Sequence, residues 1–568
     1  MWKIRLLYIN LTLKTMKDKD LNQHNQENVS IYKWLGLISI IWLITYIVCR
    51  FVWQQKLGWD EVSYLTCAKG IANDFDFSSR TTTVQGLLKY GFPQHTHHYP
   101  VLSTYIAIFL KLFGNSLQVA YFSTWFAGLV TCIFIYFTML LLSDNNIKFS
   151  FFIAIVFLFL PRIANYCDSG MMEIPGCALL SILIFFIFKD LKKNKLNPVL
   201  LSVSFILLFF YKSLFIGIFF GLLTLILFCN NFKLPVYLQA LLYVAVILVL
   251  YFTLSKYLFL PLAPMMNFHL RQEGAEGCYA DFMGGFFNNA TENIKINLLD
   301  FYNNILCRYF PINHFFNPAK EKLYVLSPDW YELGFFYLFL FYAIFALVIS
   351  WKKFNPLQRM FILFSNVSIV SFNVIFCLIS TASVNILCRY NLLYVPLLLI
   401  SSALGLFVSF KSLFLKQTKS IYILFVLLIS FLYFPYYFLS NRMKIRNDSV
   451  YNSVAHNNSE IVRKFIGGSN PSFIYFHTGQ HTTWDLYPIR VILMDATNNQ
   501  IKKINSLIPK PIEYLFLQPA NELFKENQDL IIKGQPIIDN WYTFYGFDQI
   551  NNVVVYKLNS QVGVKNNE

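Results

Sequence analysis

VLSTYIAIFLKLF, residues 101–113, is as apolar as a membrane span but is not long enough to be one. A spanning helix needs about 20 residues, roughly 30 Å at about 1.5 Å each. The segment follows Pro100, a residue suited to the first helical position, and it contains Lys111. It is expected to lie in the interface or dip into it. This reading decides the topology. The remaining apolar segments are 33–53, 117–142, 149–161, 176–188, 198–211, 214–229, 236–258, 335–350, 360–380, 392–410 and 421–440, which makes about 11 transmembrane helices.

The loop charges agree. With residues 1–32 inside as a cytoplasmic tail, Lys148, Lys189, Lys192, Lys193, Lys195, Lys233, Lys352, Lys353, Arg359, Lys411, Lys416 and Lys419 all fall inside. The short outer loops carry only Arg162, Lys212 and Arg389. Counting 101–113 as a span would invert every later loop and break the pattern. Among the acidic residues between 33 and 440, only Asp144 and Asp190 fall inside. A solvated outer face and an outward-facing acidic site both explain that asymmetry.

Composition excludes other classes. Of 568 residues, 56% are hydrophobic and 13% charged, where a soluble domain carries about a quarter charged. Disorder, collagen-like repeats, a disulfide miniprotein and an ordinary cytosolic enzyme are ruled out. The net charge of +16 belongs to the cytoplasmic loops; no nucleic-acid motif accompanies it, so nucleic acid is not an expected partner. The ten cysteines form no CxxC pair. The apolar stretch Leu6–Leu13 is short and no small-residue cleavage site follows, so no signal peptide is expected.

The fold class is therefore a polytopic α-helical membrane protein with a small C-terminal α/β extramembrane domain. The membrane part covers residues 33–440, with outer loops 54–100, 162–175 and 259–334, and the α/β domain covers 441–568. In that domain 472–478, 490–496, 512–518 and 553–558 read as strands, and 449–466, 497–507 and 519–532 as helices. No GxGxxG or P-loop is present.

Candidate chemistry gathers in the outer loops. Asp60 and Glu61 open the first, just past the first span. They are a solvated loop start, or a general base or metal ligand, since carboxylates at a membrane surface are costly unless solvated, paired or used. That loop ends with His95, His97, His98 and Tyr99, which are ordinary loop histidines or a metal or phosphate contact. The second loop carries Arg162, Asp168 and Glu173; Asp168 caps the next helix or joins a shared acidic cavity, where proximity would raise some carboxyl pKa values. Late in the chain, Arg389 and Tyr390 sit at a span boundary, where an arginine snorkels or binds phosphate.

In that order these motifs resemble the GT-C superfamily of integral-membrane glycosyltransferases, nearest to the protein O-mannosyltransferase and lipid A aminoarabinose transferase type. The resemblance spans about residues 33–410. It rests on Asp60-Glu61 with Tyr64 after one span, on the short helix ending in LFGNS (112–116), on Asp168 and Glu173 after Pro161, and on Arg389-Tyr390 with Pro396. The chain departs from the pattern at His98-Tyr99-Pro100-Val101, where the family commonly has a Pro-Pro-Leu type sequence.

The resemblance implies transfer of a sugar from a polyprenyl-phosphate donor to a lipid, glycan or protein acceptor on the outer face of the membrane, with inversion. It implies Asp60 as general base, with Glu61 orienting the acceptor or holding the site. Asp168, Glu173, His97 and His98 would shape the acceptor or metal side. Arg389, Arg162 and Tyr390 would meet the donor phosphate. Metal use varies among such enzymes, so a divalent metal is left open. A bacterial inner membrane is the expected location, with membrane lipids, donor and acceptor as partners. The competing class is a transporter or flippase of envelope precursors, which would need ionisable residues in mid-span or broken helix pairs; neither is visible.

Overall fold

Val101–Phe113 is a helix, and its Ser103, Ile106, Ala107 and Leu110 point inward while Ile108 and Leu112 stay exposed. The computed structural model that shows this describes residues 31–47, 59–77, 81–84, 87–88, 101–160, 163, 166–167, 169–193, 197–228, 235–254, 294–300, 344, 348, 351–379, 390–409, 457–476, 482–493, 495–508 and 510–559. The expected span 335–350 apart from residues 344 and 348, the expected span 421–440, and the loop 259–334 apart from residues 294–300, lie outside them.

The helices are α1 (Ile31–Ile47), α2 (Trp59–Asp74), α3 (Val101–Phe113), α4 (Leu117–Leu142), α5 (Ile147–Phe159), α6 (Glu173–Lys192), α7 (Pro198–Tyr211), α8 (Ile216–Phe228), α9 (Val236–Thr253), α10 (Pro356–Ile379) and α11 (Val395–Ser409). Four of them, α4, α6, α9 and α10, have the length and hydropathy of a membrane crossing. The other apolar helices, α1, α3, α5, α7, α8 and α11, are shorter.

Local chemistry sets the ends. Gly114 closes α3 at φ +104°, a conformation that costs glycine nothing, and its N–H returns to Leu110 O. Ser116 then caps α4 by accepting from Val119 N–H, and Asn146 and Asn197 cap α5 and α7 in the same way. Between helices the packing relies on small residues. Gly217 and Gly221, one turn apart on α8, lie against Ser368, Phe364 and Phe372 of α10. Ser365 Oγ donates to Leu397 O of α11, and Asn373 and Asn391 exchange two side-chain hydrogen bonds of 3.1 Å.

The C-terminal region is a six-stranded sheet. Its strands are β1 (Thr81–Thr83), β2 (Phe473–Phe476), β3 (Arg490–Leu493), β4 (Tyr514–Leu517), β5 (Tyr542–Asp548) and β6 (Val553–Leu558), in the order β1-β3-β2-β4-β6-β5. The first four are parallel; β6 and β5 complete it antiparallel. Strands β2 and β4 are buried at every position, as expected where both faces are covered. Helices α12 (Thr482–Asp485), α13 (Asn498–Leu507), α14 (Glu522–Glu526) and α15 (Gln528–Ile532) fill the connections, with a further helix over 457–466.

Three differences from expectation have local causes. Residues 519–532 form two short helices rather than one. They break at Asn527 (φ −114°, ψ 14°), whose side chain bonds Leu523 O and Asn498. Strand β5 was not expected; it is an edge strand whose alternation is interrupted by the bulge between Phe544 and Gly546. Strand β1 was not expected either. It comes from the first loop of the membrane part and pairs Thr82 with Ile492.

Candidate active site

Helix α2 starts at the DE pair. Asp60 is its second residue; its side chain lies outside the described residues. Glu61 follows, 2% exposed, and its Oε1 accepts from Gly170 N–H at 2.6 Å. A carboxylate–amide hydrogen bond of this length is charge-assisted and ties α2 to the second acidic loop. The approach requires glycine. A Cβ at position 170 would come within 2.7 Å of Leu65 Cδ2 and 3.0 Å of Glu61 Cγ.

Three residues on, Glu173 opens α6 with no solvent exposure. Lys212, the residue that ends α7, reaches it with Nζ 3.4 Å from Glu173 Oε1, both side chains being fully buried. Each charge sits at the helix end of opposite partial charge: the acid at an N-terminus, the lysine at a C-terminus. Lys212 Nζ also lies 4.5 Å from the centre of the Tyr390 ring, within cation–π range. Between the two acids, Met172 is held from both sides. Tyr211 Oη donates to its carbonyl, and Tyr64 Oη lies 3.9 Å from its sulfur. Gly176 completes the approach: a Cβ there would press on Leu393 and Tyr211. Cys177 Sγ, one residue on, donates to Leu392 O.

Of the residues singled out in the sequence, the structure therefore brings Glu61, Glu173 and Tyr390 into one buried network through the segment 169–173 and Lys212. Arg162, Asp168, Arg389, His95, His97 and His98 lie outside the described residues. Lys212 went unnoticed as a site residue. It read as a topology charge, although its place between FILLFFY and SLFIGIFF, with no other charge nearby, was the available signal. Among the described residues, no group of three or more His, Cys, Asp or Glu side chains is arranged to hold a metal ion.

The chain is similar to ArnT from Cupriavidus metallidurans bound to undecaprenyl phosphate, at 11% identity over 93% of this chain and 99% of that one, with a TM-score of 0.39. The apo state of the same protein gives 13% identity, 92% and 98% coverage and a TM-score of 0.41. The Archaeoglobus fulgidus oligosaccharyltransferase complex with Zn and sulfate gives 13% identity over 94% of this chain and 74% of that chain, with a TM-score of 0.46. No protein-family model and no curated protein matches. Identities and TM-scores of this size transfer no residue role and no activity.

Proposed function

We propose that the chain is a GT-C type membrane glycosyltransferase. It moves a sugar from a polyprenyl-phosphate donor to a lipid, glycan or protein hydroxyl on the outer face of a bacterial inner membrane. The observation that carries this reading is the convergence at one end of the bundle. Glu61 is fixed to Gly170, and three residues later Glu173 is neutralised by Lys212 beside Tyr390. A buried, braced acidic network at the first turn of α2 is what a positioned general base needs: rigid surroundings and a neutralised neighbour.

In this reaction the acceptor oxygen attacks the anomeric carbon while the bond from that carbon to the phosphate oxygen breaks, inverting the centre. The bonding electrons leave with the phosphate, and Asp60 takes the acceptor proton. Glu61, held by the Gly170 amide, keeps the first turn of α2 in place on the acceptor side. Glu173, with Asp168, His97 and His98, shapes that side. Arg389, Arg162 and Tyr390 offset the charge on the leaving phosphate, Lys212 Nζ lying 4.5 Å from the Tyr390 ring centre.

Mass spectrometry of envelope glycans, glycolipids and glycoproteins from three strains tests this. The strains carry the wild-type gene, a deletion, and Asp60→Asn shown by immunoblot to reach the membrane. Loss of the same sugar mass in the deletion and in Asp60→Asn is expected. Retention of that mass in both refutes the reading.

A further inference from the structure

Helix α2 touches the bundle and the C-terminal sheet domain at once. On the bundle side Val62, Leu65 and Ala68 are fully buried. Toward the domain, Lys69 Nζ donates to Trp484 O at 3.1 Å and lies 4.4 Å from the Trp484 ring centre and 5.4 Å from that of Tyr487. Trp484 is 7% exposed and packs into the apolar cluster of the bundle itself. Burial lowers the Lys69 pKa from its ordinary value, opposed by the charge of Asp485, and the half-buried ammonium faces one carbonyl and two ring faces.

The contacts continue past the helix end. The Asp74 carboxylate accepts from Tyr487 Oη. The chain then folds back: Asp76 N–H donates to Gly70 O, and a Cβ at Gly70 would meet Asp76 O at 2.5 Å. Asp76 Oδ2 lies 3.5 Å from Arg490 Nη2, with both side chains largely out of solvent. From there β1 enters the sheet beside β3. These contacts on the domain side come from residues 484–493.

The other end of the same helix carries Asp60 and Glu61. Nine residues separate Asp60 from Lys69, about 14 Å along a rigid axis. A helix held at both ends cannot tilt at one without moving the other. The hydrogen bond from Gly170 N–H to Glu61 Oε1 holds that end of the helix against the second loop.

We propose that residues 484–493 of the C-terminal domain act as a clamp on α2, with Trp484 and Lys69 as positioning residues that set the orientation of the turn bearing Asp60 and Glu61. The consequence for turnover rests on the transferase reading above; the mechanical coupling does not. A displacement of about 1 Å at a reacting group is enough to cost about 10²-fold in rate.

The test uses the full chain, purified in detergent for amide hydrogen exchange and expressed in the deletion strain for product analysis. Trp484→Ala is expected to speed exchange over residues 59–66 about tenfold while leaving α4 unchanged. It should lower the envelope sugar about 10²-fold with undecaprenyl phosphate, used as the binding probe, still bound. Trp484→Phe, which keeps a ring over Lys69, should restore both. If Trp484→Ala fails to reach the membrane, Lys69→Met provides the same readings. Unchanged exchange over 59–66 overturns the clamp, whatever the product does. Faster exchange with undiminished sugar also overturns it. A deletion strain that keeps its sugar refutes the transferase reading instead, and the exchange data then decide the clamp alone.

Discussion

Lys212 Nζ lies 3.4 Å from Glu173 Oε1 with both side chains fully out of solvent, joining the end of α7 to the start of α6. Two buried charges are tolerable only together, because removing one strands the other. Lys212→Met alone is expected to destabilise the protein by about 3–5 kcal/mol. The double variant Glu173→Gln/Lys212→Met should recover most of that loss while leaving activity low. Denaturation in detergent and the envelope sugar assay, run on the same variants, check both halves.

Gly170 and Glu61 provide a second test. Gly170→Ala places a methyl group 2.7 Å from Leu65 Cδ2, and either the loop or α2 must move. Glu61→Gln keeps an acceptor oxygen for the Gly170 amide but loses the charge. Glu61→Gln should therefore lower turnover less than Gly170→Ala, while both proteins stay folded. Equal losses would show that the charge of Glu61 matters as much as its placement.

On α8 the two glycines differ in what they face. A Cβ at Gly217 would overlap the Ser368 carbonyl, which no side-chain change removes. A Cβ at Gly221 would overlap the Ser368 hydroxyl, with Phe364 O 2.9 Å away. Gly221→Ala should therefore be partly rescued by Ser368→Gly, and Gly217→Ala should not. Yields of monodisperse protein after detergent extraction report the outcome.

In the sheet domain Asp548 accepts from the Asn551 N–H and side-chain amide and lies 3.2 Å from Lys464 Nζ. The Asn551 backbone bond, followed by Lys464, holds its carboxyl below the ordinary 3.8. Because the folded pKa is depressed, the stabilisation is fully present above about 3.8 and is lost as pH falls through the folded value. Asp548→Ala is expected to cost about 1.5–3 kcal/mol at neutral pH and little once the wild-type carboxyl is protonated. Amide exchange across β5 and β6 as a function of pH measures this.

Much of the architecture was legible. Segment 101–113 read as a short non-spanning helix, and α3 is 13 residues long with one inward face. Segments 472–478, 490–496 and 512–518 read as strands, and they contain β2, β3 and β4. The candidate site was half legible. Glu61, Glu173 and Tyr390 were picked out by residue type and position, but their partners were not. Gly170 carried no signal of its own, and Lys212 read as a topology marker.

The division follows from the range of the forces. Whether a run of about 20 apolar residues enters a bilayer is a sum over its own side chains, and which end stays inside depends on adjacent Lys and Arg. Those sums are local, so the sequence alone determined the helical membrane class and the small C-terminal sheet. Which charge neutralises Glu173, which amide holds Glu61, and why Thr81–Thr83 joins a sheet about 400 residues away depend on which surfaces meet. Unpaired edges and buried charges accept any partner of matching geometry. Only the packed tertiary structure brings one such partner within about 3 Å and excludes the rest.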